Sequence, residues 1–160
     1  MNKTNKTNAM RLMDAAKIPY RAVEYEYDEN DLGGEHVAAV TGMNPDQVFK
    51  TLVARGEKKG ILVFCIPVSC TLDLKKAAHA AGDKKVEMIH MKELLGLTGY
   101  IRGGCSPVGM KKKYPTFMDE TAELYDEIAI SGGARGLQMV LSPMSLMEYA
   151  DITSVDLVEY

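Results

Sequence analysis

The chain has 160 residues and a formal net charge of −3, enough to bury a core as one domain spanning 1–160 and too acidic overall for a general polyanion binder, DNA included. Its longest apolar run, Ile61–Val68, is too short to cross a bilayer, and the polar, basic opening MNKTNKTNAM lacks the apolar stretch of a secretory leader, so a cytoplasmic location without a membrane partner is expected. Cys65, Cys70 and Cys105 form no Cys-x-x-Cys pair, and His36, His79 and His90 are scattered, which points to reduced thiols and to no metal site.

Along the chain, Thr7 or Asn8 can cap a first helix, with Ala9, Leu12, Met13 and Ala16 on one face. Ile18-Pro19 breaks it, and the alternation of Val23, Tyr25 and Tyr27 with Glu24 and Glu26 predicts a half-buried strand over Tyr20–Tyr27. A polar loop, Asp28–Gly34, leads to a short helix over Glu35–Thr41 that Gly42 can end. Asn44-Pro45-Asp46-Gln47 carries a cap, a proline in the first turn and a glutamine three residues after the cap, hence a brief helical turn. Phe49–Ala54 and Ile61–Val68 predict two strands around a tight loop, the second of them central because it is almost wholly apolar.

Asp73 caps a predicted helix whose Leu74, Ala77, Ala78 and Ala81 face the core and which stops at Gly82. A short strand over Lys84–Ile89 and a short helix over Met91–Leu97 follow, then strands near Thr116–Asp119, Glu127–Ser131 and Leu137–Leu141. Ser142-Pro143 starts a last helix, about Met144–Tyr149, and Val155–Val158 closes as a strand. Helices and strands mix without a βαβ repeat. The fold class is therefore α+β, with flanking helices and a mixed, mostly antiparallel sheet expected to curl toward a barrel.

Three features bear on chemistry. Lys50 sits within the apolar run Val48–Val53, where it either faces solvent or aims an ammonium into a cleft to hold an anion or a carbonyl oxygen. Two glycine loops, Gly103–Gly109 and Ser131–Gly136, are either turns or places where bare backbone approaches a ligand. Neither matches a P-loop or a dinucleotide fingerprint. The first runs into Lys111-Lys112-Lys113, a solvated patch or a phosphate-contacting one. No Ser or Cys triad is legible, so an enzyme built on this chain must rely on positioning and backbone electrostatics, or on a reactive group of the substrate. Most of the eleven methionines are expected as core filler.

Taken in order, Val48-Phe49-Lys50-Thr51-Leu52-Val53, Leu72-Asp73-Leu74-Lys75-Lys76-Ala77-Ala78, Lys84–Met88, Thr98-Gly99-Tyr100, Gly103–Gly109 with its lysines, and Ser131–Leu137 resemble the YbaK/EbsC family. Its members are free-standing Cys-tRNA(Pro) deacylases, relatives of the editing domain inserted in bacterial prolyl-tRNA synthetases. The resemblance runs from about residue 5 to residue 158. It implies a barrel-like α+β fold and removal of cysteine from mischarged tRNA without metal or cofactor. It also implies a catalytic Lys50 and substrate contacts from Tyr25, Thr51, Gly103, Gly104, Ser106, Ser131, Gly132 and Gly133.

In the implied chemistry the substrate's own thiol attacks its ester. Lys111, Lys112 and Lys113 would meet tRNA phosphates, and prolyl-tRNA synthetase is an implied partner that could supply tRNA identity. The sequence departs from the family in two places: Leu32-Gly33 stands where relatives often carry an aromatic residue, and Cys105 where they are aliphatic. Two alternatives stay open: a sister deacylase for alanine or another small amino acid, with water attacking, and a non-catalytic module binding tRNA or synthetase. The complete Phe-Lys-Thr motif speaks against the last.

Overall fold

Local chemistry sets the helix boundaries in the computed structural model, which describes residues 6–30 and 32–160. The expectations for Met1–Asn5 and for Asp31 lie outside the described residues. Helix α1 (Asn8–Ala15) is capped by Thr7, whose hydroxyl accepts from Met10 N–H, and it buries Ala9, Met10 and Met13. Helix α2 (Gly34–Thr41) ends at Gly42 in the left-handed region, φ 70°, where a Cβ would be strained. Helix α3 (Leu74–Ala81) starts at Asp73, whose carboxylate accepts from Lys75 and Lys76 N–H. Helix α4 (Leu94–Thr98) continues a 3-10 turn over Met91–Glu93. Helix α5 (Pro143–Ala150) is capped by Ser142 through Ser145 N–H.

The strands are β1 (Tyr20–Glu24), β2 (Phe49–Gly56), β3 (Gly60–Pro67), β4 (Val86–Met88), β5 (Thr116–Asp119), β6 (Ile128–Ser131), β7 (Leu137–Leu141) and β8 (Ile152–Val155). They form two sheets, β1-β7-β6 and β4-β2-β3-β5-β8. The smaller sheet is antiparallel throughout, and the larger turns parallel where β3 meets β5 and β5 meets β8. The architecture is the expected α+β one, mixed and mostly antiparallel. The described strands do not close into a barrel: the sheets meet at an isolated parallel bridge, Val48 with Ala129. As expected, β3 is the central strand of the larger sheet, with Leu62–Pro67 buried.

Three expectations shift. Strand β1 stops at Glu24, because its partner β7 begins at Leu137; Tyr25 N–H still donates to Gly136 O at 3.0 Å, and the chain then departs. Leu74 is exposed, since α3 buries itself through Ala77 and Ala78. The last strand is Ile152–Val155, which lies parallel to β5 in register, and Val158 instead bridges Leu72.

The C-terminal segment is tied down by a buried carboxylate. Asp119 accepts Leu157 N–H at 2.9 Å on Oδ1, and on Oδ2 accepts Thr121 N–H at 3.2 Å and the Thr121 hydroxyl at 2.6 Å. Removing it strands buried donors, whose desolvation is then uncompensated. Asp119→Ala should therefore cost about 2 kcal/mol in denaturant unfolding and about 5 °C in Tm. Asp119→Asn, which keeps an acceptor, should lose less; equal stability of Asp119→Ala and wild type would rule this clasp out.

Candidate active site

The cleft begins where the two sheets part. Val48 pairs with Ala129 in a parallel bridge that does not extend. Two residues further along each strand come Lys50 and Ser131, and both line a cavity of about 360 Å³. Gln138 adds a third polar side chain; it pairs with Ser131 across β6 and β7. Leu32 and the start of α2 form one wall, Met88, Ile89, Met91 and Leu94 another, and Arg102, Gly103 and Cys105 a third. The methionine wall is braced from outside. Arg55 donates to Glu93 at 2.9 Å, and Glu93 accepts His90 N–H at 3.1 Å, which fixes the turn that carries Met91. The guanidinium beside it holds the Glu93 carboxyl below the usual carboxylate range.

The cleft is electropositive. Lys50 and Arg102 line it, and its described lining residues include no Asp, Glu or His. Neither cation forms an ion pair among the described residues. The N-terminus of α2 has no side-chain cap, and Gly33 and Gly34 border the cleft beside Lys50, so a positive dipole end adds to the two cations. Such a site favours a phosphate, a carboxylate or a developing oxyanion. Among the described residues no group of three or more His, Cys, Asp or Glu is arranged to hold a metal, and no helix is long and apolar enough to cross a membrane.

Of the sequence-predicted site residues, Lys50, Thr51, Gly103 and Ser131 come together around the cleft. Tyr25 packs instead in the small cluster of Val37, Val48 and Val140. Gly104, Ser106, Gly132 and Gly133 build the loops rather than the cavity surface. A Cβ on Gly104 would lie 3.2 Å from Arg135 N and 3.3 Å from Ala134 C, so the two glycine loops stack backbone to backbone. Arg135 Nε donates to Arg102 O at 2.7 Å and locks them. Ser106 is fully buried and accepts Val108 N–H at 3.2 Å. Gly132 O accepts the Thr7 hydroxyl at 2.6 Å, and Gly133, at φ 97°, sits against Tyr100 and α1. The lysine run lies apart from the cleft. Lys111 covers Gly99, while Lys112 and Lys113 border a second hollow with Tyr114 and Tyr149.

Cys105 lines the cleft, and Cys65 lies in the core beside Thr51. Burial pushes Cys65 and Cys105 each up to about 12, so both stay protonated at neutral pH, whereas a nucleophilic cysteine needs its thiolate. Ser131 accepts Gly133 N–H at 3.1 Å and has no histidine beside it among the described lining residues. Leu32 lines the cleft and would meet a Cβ on Gly103 at 3.2 Å. Sequence reasoning missed Arg102 and Gln138. Arg102 precedes a glycine pair and resembles any loop arginine, and Gln138 occupies a strand position where alternation allows a solvent-facing residue.

Residues 33–149 match the family described as the aminoacyl-tRNA editing domain. An Enterococcus faecalis protein named "Putative Cys-tRNA(Pro)/Cys-tRNA(Cys) deacylase EbsC" is 47% identical over 154 residues, covering 93% of this chain and 94% of its own. Bacillus subtilis "Uncharacterized protein YwhH" is 24% identical over 125 residues, 78% of this chain and 79% of its own. A solved structure described as "a putative trans-editing enzyme for prolyl tRNA synthetase" superposes with a TM-score of 0.81 at 26% identity, over 98% of this chain and 100% of that one.

The stacked loops generate a stability test. Gly104→Val drives a branched side chain into the Ala134–Arg135 backbone, an overpacking expected to cost about 1–3 kcal/mol. Its Tm should fall even without ligand. A Gly104→Val protein with unchanged Tm would show that the loops have room to part.

Proposed function

The chain belongs to the aminoacyl-tRNA editing domain family, and we propose that it is a trans-editing deacylase that removes cysteine from mischarged tRNA(Pro). The observation that carries this reading is a cleft with two unpaired cations, Lys50 and Arg102, and no competent nucleophile of its own among the described lining residues. The naming of the Enterococcus faecalis relative supports cysteine as the amino acid. The description of the structural neighbour supports prolyl-tRNA synthetase as a partner that supplies tRNA identity.

In the proposed reaction the cysteinyl thiol gives up its proton to solvent water, which later returns one to the ribose oxygen; the positive cleft favours this, since nearby cations stabilise a thiolate. The sulfur attacks the ester carbonyl carbon of the same residue. The carbonyl oxygen becomes an oxyanion next to the Lys50 ammonium, which stabilises it as the charge develops. When the oxyanion collapses, the ester C–O bond breaks. The departing ribose oxygen takes up a proton, leaving tRNA with a free hydroxyl and a cysteine thiolactone that water later opens. The protein's part is to hold thiol and carbonyl in attack geometry and to supply charge, effects commonly worth several kcal/mol each.

Deacylation of purified Cys-tRNA(Pro) tests this. Lys50→Ala should lose about a hundredfold or more in single-turnover rate while keeping its Tm. Lys50→Arg should recover little, because a planar fork does not replace a compact ammonium. Cys105→Ala should stay active, the thiolactone should be trappable, and Ser-tRNA and Ala-tRNA should be cleared slowly. A dead Cys105→Ala, or equal rates on all three substrates, would replace this mechanism with a protein nucleophile or with water attack.

Lys111, Lys112 and Lys113 are proposed to bind tRNA phosphates beyond the acylated end. Their joint replacement by alanine should raise KM and flatten the salt dependence of binding, since fewer counterions are released. The saturated single-turnover rate should hold. A fall in that rate at unchanged KM would move the lysines into the chemistry.

A further inference from the structure

Gln138 sits in β7, the middle strand of the smaller sheet, paired with Val23 on one side and Ser131 on the other. Its neighbours Leu137 and Met139 enter the main apolar cluster. Val140, on Gln138's own face of the strand, packs with Val37, Val48 and Val68. An aliphatic side chain would suit this place. The amide is instead 5% exposed and borders the cleft. Its Nε2 makes one long contact, 3.5 Å to Leu137 O, and its Oε1 has no hydrogen-bond partner. A buried amide oxygen left unpaired costs stability, so a group retained in this state at the edge of a cavity calls for a ligand that pairs with it.

The substrate of the proposed deacylase carries such a partner. An aminoacyl ester bears an α-ammonium one carbon from the reacting carbonyl. Lys50 and Arg102 favour the carbonyl oxygen and phosphate but repel that ammonium, and no carboxylate is present among the described lining residues. Ser131, the cross-strand neighbour, already accepts Gly133 N–H. We propose that Gln138 receives the α-ammonium of the aminoacyl group on its Oε1 and thereby makes the site selective for free-amine aminoacyl esters over N-blocked or amine-less ones. The terminal torsion of a glutamine is broad, so a modest rotation turns the oxygen toward the ligand. The inference rests on the deacylase reading.

The test compares two thiol esters of one tRNA: cysteinyl-tRNA and 3-mercaptopropionyl-tRNA, which has the same thiol and ester but no amine. Each kcat/KM is taken relative to the uncatalysed rate. Wild type should prefer the cysteinyl ester by about tenfold, the usual scale of a hydrogen bond to a charged group. Gln138→Met, of similar length without an acceptor, should lose that preference by slowing on cysteinyl-tRNA alone. Gln138→Glu should keep it, which a purely structural amide would not explain. A wild type without preference, a Gln138→Met protein that retains it, or a Gln138→Glu protein that loses it overturns the assignment. Should Gln138→Met fail to fold, the glutamate variant still decides. If wild type does not act on cysteinyl-tRNA, the deacylase reading falls together with this one. If it acts but the Met variant keeps the preference, only Gln138 is reassigned.

Discussion

The bridge between Val48 and Ala129 is the joint on which the molecule turns. It is the point at which the two sheets exchange backbone hydrogen-bonding contact, and it is held further by Val68 N–H donating to Val48 O at 2.8 Å. A longer ladder would zip the sheets together and bury Lys50 against Ser131. No bridge at all would leave the two apolar faces unregistered. One pair lets the strands part within two residues, and polar side chains at the parting are carried by strands, not loops. That gives the cleft floor the positional precision of a sheet, which chemistry by positioning requires.

The walls follow from the same economy of backbone contact. The two glycine loops pack main chain on main chain, so their closeness leaves no room for side chains between them, and Arg135 fastens the stack through Arg102 O. The main chain that carries Arg102 to the rim is thereby fixed, and its guanidinium has no acidic partner among the described residues. Tyr100 reinforces the arrangement: its hydroxyl donates to Val108 O, and burial pushes the phenol up to about 12, so it remains a donor at any physiological pH. The glycines matter less as bare surface for a ligand than as the condition for packing the loops that hold Arg102 and Gly103 at the cavity.

Much of the fold was legible because its punctuation is local. Thr7, Asn44, Asp73 and Ser142 each accept a backbone N–H where capping chemistry expects it, and Gly42 and Gly82 stop helices in the left-handed region. What local chemistry could not give was partnership. The end of β1 depends on where β7 begins, and the register of β8 on a parallel neighbour 36 residues earlier. The split into two sheets depends on how far one bridge extends. The site was legible in the same measure. Lys50 and Thr51 stand out as polar residues inside an apolar run, Ser131 at the end of one and Gly103 in a glycine loop, whereas Gln138 became visible only when both faces of β7 proved buried.

Under the proposed chemistry, a cleft without a protein nucleophile is a source of selectivity. A correctly charged prolyl ester has a size close to that of a cysteinyl ester, and a pocket of about 360 Å³ cannot reject it strongly by volume, since one or two methylenes separate small side chains by only about 1–3 kcal/mol. A nucleophilic serine or an ordered water would threaten both esters alike. When the attacking atom must come from the substrate, proline has nothing to attack with and survives binding unharmed. The protonated thiol of Cys105 and the engaged hydroxyl of Ser131 then have a common sense. Each withholds from the cleft a reactivity that would erase the distinction, while Lys50 supplies charge that helps only a substrate able to begin the reaction itself.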